Sequence, residues 1–563
     1  MAAPAGGVWH SRLLALLPQR EDWDAVRRAP GRDVMAGLTV GVVALPLALA
    51  FGVTSGLGAQ AGLVTAVIAG AIAAVFGGSN LQVSGPTGAM TVVLVPLVAE
   101  FGVGGVLMAC LMAGAFLLVL ALAHVGRFVR YLPIPVVEGF TAGIAIVIAL
   151  QQLPAVLGVA GQAHGGEGVL NLAVEAGGSF LAHPHPAALL IALGVAATML
   201  LGARYRPGVP FSLVAIVAAT LVALVPGLDV AVLGTVPSGI PAPSAGFFDL
   251  GLMGALLPAA LAIAALAALE SLLSATVADG MSIGERHDPD RELFGQALAN
   301  LVIPFFGGLP STAAIARTAV NVRAGASSKL AALVHALALA VIMYTAASVV
   351  AFIPLSALGG VLLATTARMV DIGALRALAR STHADGLVLA LTLVVTVAVD
   401  LVTAVGVGVA SAAALALRDV ARSATIEQVD VDHADESAEE RQLLGERIVA
   451  YRPEGPLFFG AANRFLQDLM DVAPVEVLIL RLSGISTMDA TGARMLDEAV
   501  RHLERRGITV LLSGISPQHQ TLLTTLSVAS DLYERGQVFS DTPGAVAHAR
   551  DLIGARPRIT PAG

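Results

Sequence analysis

Charged side chains are scarce in this chain: Asp, Glu, Lys and Arg make up 13% of its 563 residues, against 56% hydrophobic, and the mean hydropathy is +0.83. That shortage excludes a water-soluble globule, whose surface needs charge. Cysteine is almost missing. The single example, Cys110, lies in an apolar run and has no partner for an internal disulfide, so it reads as a small packing residue and implies no redox chemistry. The N-terminus lacks a short apolar stretch ending in a small-residue cleavage site. It carries a polar segment with Arg20, Arg27, Arg28 and Arg32, so no removable signal peptide is expected.

What is present is a series of apolar runs from Val34 to Leu417, each near the roughly 20 residues that cross about 30 Å of hydrocarbon. About fourteen spans can be placed, near 34–55, 61–77, 86–100, 104–124, 133–153, 186–202, 209–225, 252–277, 291–306, 311–322, 330–352, 354–367, 386–399 and 401–417. Basic residues orient them. Arg127 and Arg130 follow the fourth span, Arg204 and Arg206 the sixth, Arg286 and Arg291 flank the loop after the eighth, and Arg323 and Lys329 follow the tenth. Arg368, Arg376 and Arg380 follow the twelfth, and Arg418 and Arg422 the fourteenth. Connections after odd-numbered spans hold no Lys or Arg, including the long ones at 151–186 and 226–251. The positive-inside rule then places both termini in the cytoplasm. The net charge of -8 comes from the acidic C-terminal third and says nothing about substrate.

A broken-helix pattern occurs twice. Phe76-Gly77-Gly78 ends the second span, and Ser84-Gly85-Pro86-Thr87-Gly88 opens a short third. Phe306-Gly307-Gly308 ends the ninth, and Leu309-Pro310-Ser311-Thr312-Ala313-Ala314 opens a short tenth. The two sites are seven spans apart, so the halves are inverted in the membrane, as in transporters whose discontinuous helices meet at the midplane. Each Pro is expected in a first helical turn beside a Ser or Thr cap. Free N–H groups and about half a positive charge at each helix start then form an anion site. Taken singly, either motif also reads as an ordinary interhelical turn.

Few ionisable residues lie inside the spans, and each is a candidate because a lipid-facing charge is costly. Glu270 can bind a proton, or help ligate Na+ with Ser274, or be neutralised by a structural hydrogen bond. Arg317 adds positive potential to the anion pocket or pairs with Glu270. Glu138 suits a structural hydrogen bond, and Asp400 a solvated outer turn. His183 and His185 sit in a Pro-rich outer loop without a third ligand, so no metal site is expected.

After Arg422 an acidic linker (423–447) with Asp430, Asp432, Asp435, Glu436, Glu439 and Glu440 reads as solvated and flexible. Strands at Ile448–Arg452, Val475–Leu482 and Ile508–Ser513 alternate with helices near 462–472 and Thr491–Arg505, which describes a small α/β domain over 448–555 with a tail at 556–563. Asp489 or Thr491 can cap the second helix. No catalytic pair or phosphate-cradling glycine pattern is present, so the domain reads as regulatory or dimer-forming.

Several runs together resemble the sulfate permease (SulP) and solute carrier family 26 transporters: Glu270-Ser271-Leu272-Leu273-Ser274-Ala275-Thr276-Val277-Ala278-Asp279-Gly280-Met281, Gly307-Gly308-Leu309-Pro310, Ala314 to Arg323, Ser84 to Gly88, and Met488-Asp489-Ala490-Thr491-Gly492. The resemblance implies an all-α membrane domain at 34–422, behind a cytoplasmic segment at 1–33, and a cytoplasmic STAS domain. It implies a seven-plus-seven inverted repeat, with a core of spans 1–4 and 8–11 moving like an elevator against a gate of spans 5–7 and 12–14. It places Leu47, Phe51, Thr87, Gly88, Ala313, Ala314 and Arg317 at the substrate and Glu270 and Ser274 at the coupling ion. It also implies a homodimer in a bacterial inner membrane, with a cytoplasmic protein partner for the STAS domain, and neither cofactor, metal nor nucleic acid. Where sodium-coupled bicarbonate relatives carry Asp, this chain has Glu270, closer to proton-coupled dicarboxylate transporters. Where anti-sigma-factor antagonists carry a phosphorylated Ser, it has Ala490. The expected function is symport of a small anion (a C4-dicarboxylate such as fumarate, sulfate or bicarbonate) with H+. Alternatives are Na+-coupled bicarbonate symport, exchange, an uncoupled channel, nucleobase transport, or a membrane-anchored signalling protein.

Overall fold

A computed structural model describes residues 16–159, 169–206, 209–225, 228–282, 286–423, 425–429, 447–459, 475–528 and 530–554. The chain divides into two compact units, one ending at Ala410 and the other starting at Ser411.

The first unit is helical. An amphipathic helix α1 (Arg20–Arg28) precedes α2 (Pro30–Thr54), which begins on a Pro in its first turn, where the missing N–H costs nothing. Then follow α3 (Ala59–Phe76), α4 (Gly88–Leu122), α5 (Ile134–Gln151), α6 (Val169–Ala182), α7 (Pro186–Tyr205) and α8 (Phe211–Ala223). The second half holds α9 (Met253–Met281), α10 (Pro289–Val302), α11 (Ile315–Arg323), α12 (Lys329–Thr345), α13 (Leu355–Met369), α14 (Ile372–Ser381), α15 (His383–Ala398) and α16 (Leu401–Arg422). Among the described residues eight helical stretches are long and apolar enough to cross a membrane, and four shorter ones are apolar.

The expected third and fourth spans follow each other without a loop, and the break between them falls at Gly102, whose φ of 66° is not helical. Other expectations shift. The outer connection at 151–186 contains the helix α6. The connection at 226–251 is strapped to its neighbours: Leu233 N–H donates to Ile353 O at 2.9 Å, Leu355 N–H to Ala231 O at 2.9 Å, and Ser244 N–H to Phe305 O at 2.7 Å. Arg291 and Lys329, expected in loops, are 8% and 1% exposed.

The second unit carries a sheet of order β3 (Thr425–Val429), β4 (Ile448–Leu457), β5 (Val477–Arg481), β7 (Thr509–Ser513) and β8 (Val538–Phe539), with β6 (Ile485–Met488) also paired to β4. β4, β5, β7 and β8 run parallel, the central β5 and β7 are buried at nearly every position, and α17 (Ala490–Arg505) covers one face of the sheet. β3 pairs antiparallel with β4. This corrects the linker: its residues 425–429 are a strand, because the alternating Thr425-Ile426-Glu427-Gln428-Val429 can complete the sheet edge. Residues 430–446 and the helix expected at 462–472 lie outside the described residues. Of the two proposed caps, Asp489 is the one used, accepting from Gly492 N–H at 2.7 Å.

Candidate functional site

The two broken helices come together through a two-stranded antiparallel crossing, in which β1 (Ser84–Gly85) pairs with β2 (Thr312–Ala313), Ser84 opposite Ala313 and Gly85 opposite Thr312. The helices leave this crossing separately, α4 at Gly88 and α11 at Ile315. Neither can donate its first-turn N–H groups within the helix, so both present them to the crossing.

The arms differ in their caps. Thr87 caps α4, accepting from Met90 N–H at 3.5 Å, and its hydroxyl donates to Glu270 Oε2 at 2.8 Å. On α11 the cap position is Ala314, which has no side chain to offer, and Pro310 lies four residues earlier, in the segment before β2. The expectation of Pro in a first turn therefore fails at both arms, and the hydroxyl cap is met at α4 alone, by Thr87. Pro86 lies just before its cap, and Pro310 and Thr312 belong to the extended approach that the crossing requires.

Glu270 projects half-buried from α9. Arg317, on α11, is 1% exposed. Its Nη2 donates to Pro86 O at 2.9 Å, while Nε and Nη1 have no partner among the described residues. Glu270 and Arg317 therefore act on each other through space instead of forming a contact pair, and the guanidinium keeps donors available beside the crossing. Ala314 and Ile315 are partly open and Ala316 is exposed, so the first turn of α11 borders open space.

Phe51 and Gly88 also belong to this region. A β-carbon on Gly88 would fall 2.3 Å from Ile148 Cδ1 and 3.1 Å from Phe51 Cε1, so only glycine lets α2 and α5 close over the start of α4. Leu47, one turn earlier on α2, is buried in the main apolar cluster. Ala313 N–H donates to Ser271 Oγ at 3.2 Å and Ala314 N–H to Val83 O at 3.1 Å, so these two amides are already used. Ser274 lies away from open space: it is fully buried, and its hydroxyl donates to Thr318 Oγ1 at 2.9 Å. Glu138 is partly buried on α5, and Asp400 accepts from Thr403 N–H at 2.9 Å in an exposed turn.

Sequence reasoning assigned no role to the polar residues that hold the crossing. Ser271 and Thr312 hydroxyls are 2.9 Å apart, Thr312 donates to Ala267 O at 3.2 Å, and Gln82 donates to Ser271 O at 3.1 Å. Asn300 clamps the β2 arm from both sides, donating to Ser311 O at 2.9 Å and accepting from Ser311 N–H at 2.8 Å. Thr65 accepts from Leu309 N–H at 2.8 Å, inside a π-helical stretch of α3 (Thr65–Ala69), a distortion that recurs at functional sites. On the other arm, Asn321 donates to Leu81 O at 2.7 Å and Gln296 to Ser84 Oγ at 2.7 Å. The available signal was Gln296 and Asn300 spaced i, i+4 in the apolar stretch that follows the charged first turn of α10.

Helices that meet start to start around a buried arginine and a carboxylate are the kind of arrangement membrane transporters use. The sulfate permease family profile matches residues 31–392 and the STAS domain profile residues 444–542. The chain is 34% identical to the putative sulfate transporter YvdB of Bacillus subtilis, over 87% of its own length and 93% of the relative's. It is 31% identical to the bicarbonate transporter BicA of Picosynechococcus, over 88% and 90%. Its fold superposes on murine Slc26a9 in the inward-facing state with a TM-score of 0.81 at 19% identity, covering 98% of this chain and 96% of that one. The chain belongs to the sulfate permease family: it is a multi-pass membrane anion transporter with a C-terminal STAS domain, and not an enzyme.

Proposed function

We propose that the chain symports a small anion with a proton, Glu270 carrying the proton and the start of α11 with Arg317 carrying the anion. The observation that bears most weight is the pairing of an unsaturated buried guanidinium with a carboxylate that it does not neutralise by contact. When Glu270 is ionised, its charge opposes the anion. Once protonated, Arg317 and the two helix starts, each about half a positive charge, stand unopposed. Binding of anion and proton is thereby linked. Candidate substrates are sulfate, bicarbonate and a C4-dicarboxylate such as fumarate; relatives are named for the first two. Movement of a core against a gate, a dimeric assembly, cytoplasmic termini and a bacterial inner membrane complete the reading.

The test is uptake of labelled fumarate, sulfate and bicarbonate into proteoliposomes under an inward H+ gradient, an inward Na+ gradient or neither, for the wild type and Glu270→Gln. Accumulation driven by H+ and lost in the variant is expected. Accumulation driven by Na+ alone, or unchanged in Glu270→Gln, overturns proton coupling through Glu270.

A further inference from the structure

A second charged cluster lies apart from Glu270 and Arg317. Arg291, at the start of α10, and Lys329, at the start of α12 and the only lysine in the chain, are both buried. Lys329 Nζ donates to Gly77 O at 2.7 Å and to Val75 O at 3.3 Å, satisfying the carbonyls that end α3. Beside it, the 2% exposed Glu292 accepts from Gly78 N–H at 3.1 Å and from Gln296 at 3.0 Å. Gln296 in turn holds Ser84 of β1. The turn from Gly77 to Thr87, which is the β1 arm, is therefore moored at its near end by Lys329 and Glu292. It fits tightly: a β-carbon on Gly78 would fall 1.9 Å from Asp288 O.

This mooring holds two cations and one carboxylate. The missing negative charge comes from the N-terminal segment. Asp22 on α1 takes both Arg291 nitrogens, Nη1 on Oδ1 at 3.2 Å and Nη2 on Oδ2 at 2.5 Å, and lies 3.9 Å from Lys329 Nζ. Two buried cations against two carboxylates is the balance that a poorly solvated cluster requires.

We propose that Asp22 is a positioning residue for the β1 arm of the transport site: the N-terminal helix supplies the counter-charge that keeps Lys329 on Gly77 O and so fixes the approach to Thr87. The inference rests on the reading of that arm as part of the transport site. Burial works against the ionised Asp22, but the Arg291 and Gln19 hydrogen bonds and the Lys329 and Arg291 charges hold its pKa below the ordinary 3.8. The stabilisation is therefore present above about pH 4 and lost as the pH falls through the lower folded value. Asp22 stays ionised at neutral pH, and α1 works as a permanent strut.

The experiment compares full-length wild type, Asp22→Asn, and the swap Asp22→Arg with Arg291→Asp, by amide hydrogen exchange in nanodiscs and by anion uptake. In Asp22→Asn, exchange over 77–87 should rise at least about 5-fold, while 309–314, moored by Thr65 and Asn300, stays unchanged. KM for the anion should rise with Vmax per folded protein kept, and the swap should restore both. Unchanged exchange over 77–87 in Asp22→Asn, or a uniform rise across the helical unit, overturns the inference. Exchange reads the arm even if the wild type moves none of the anions tested, an outcome that would count against the proposed function alone.

Discussion

The two arms of the crossing both follow a Phe-Gly-Gly helix end, yet they are built differently. The β1 arm has a hydroxyl cap, touches Glu270 through Thr87 and is moored to charges. The β2 arm has no side-chain cap, borders open space and is held by neutral hydrogen bonds from Thr65, Asn300 and Ser271. The lesson is that the β1 arm ties the Glu270 carboxylate to the scaffold through Thr87, whereas the β2 arm, with its Ala313 and Ala314 amides used, leaves Arg317 Nε and Nη1 without a partner among the described residues.

The largest break in that comparison is Arg317→Gln. It removes the charge and the open donors of the second arm, and anion uptake should fall by about 30-fold or more, the equivalent of roughly 2 kcal/mol for a charged hydrogen bond. Next is Gly88→Ala, which forces a β-carbon into Ile148. An overpacking cost of about 1–3 kcal/mol should lower the melting temperature and transport together, and adding Ile148→Ala should recover much of both. Asn300→Ala strips both bonds from Ser311 and should cost about 1–3 kcal/mol of stability, with hydrogen exchange rising at 309–314 and not at 81–85. The smallest effect is expected from Thr87→Ser, which keeps the cap and the Glu270 contact; uptake should stay within about twofold, whereas Thr87→Val, losing a cap worth about 1 kcal/mol, should not.

Much of this was legible in the sequence. The membrane domain, the paired breaks at repeat spacing, and the prominence of Glu270 and Arg317 could all be read from residue type and spacing, and so could the capping Asp489. Misplaced details were local geometry. Pro310 looked like a first-turn residue because its neighbours Ser311 and Thr312 resemble caps, but those residues are drawn into the crossing and the helix starts later. Ser274 shares a helical face with Glu270 at i, i+4, but that its hydroxyl donates to Thr318 could be read only from the structure.

By itself the sequence determined that this chain lives in a bilayer and breaks two of its helices there. Apolar length is written directly in residue type, and a helix interrupted in hydrocarbon must be marked by Gly and Pro because its backbone groups have to be satisfied elsewhere. Tertiary structure alone decided which polar groups provide that satisfaction. Asp22 meets Arg291 across 269 residues and Asn321 meets Leu81 across 240. No local pattern encodes such partners, because a hydrogen bond depends on distance in space and not on distance along the chain.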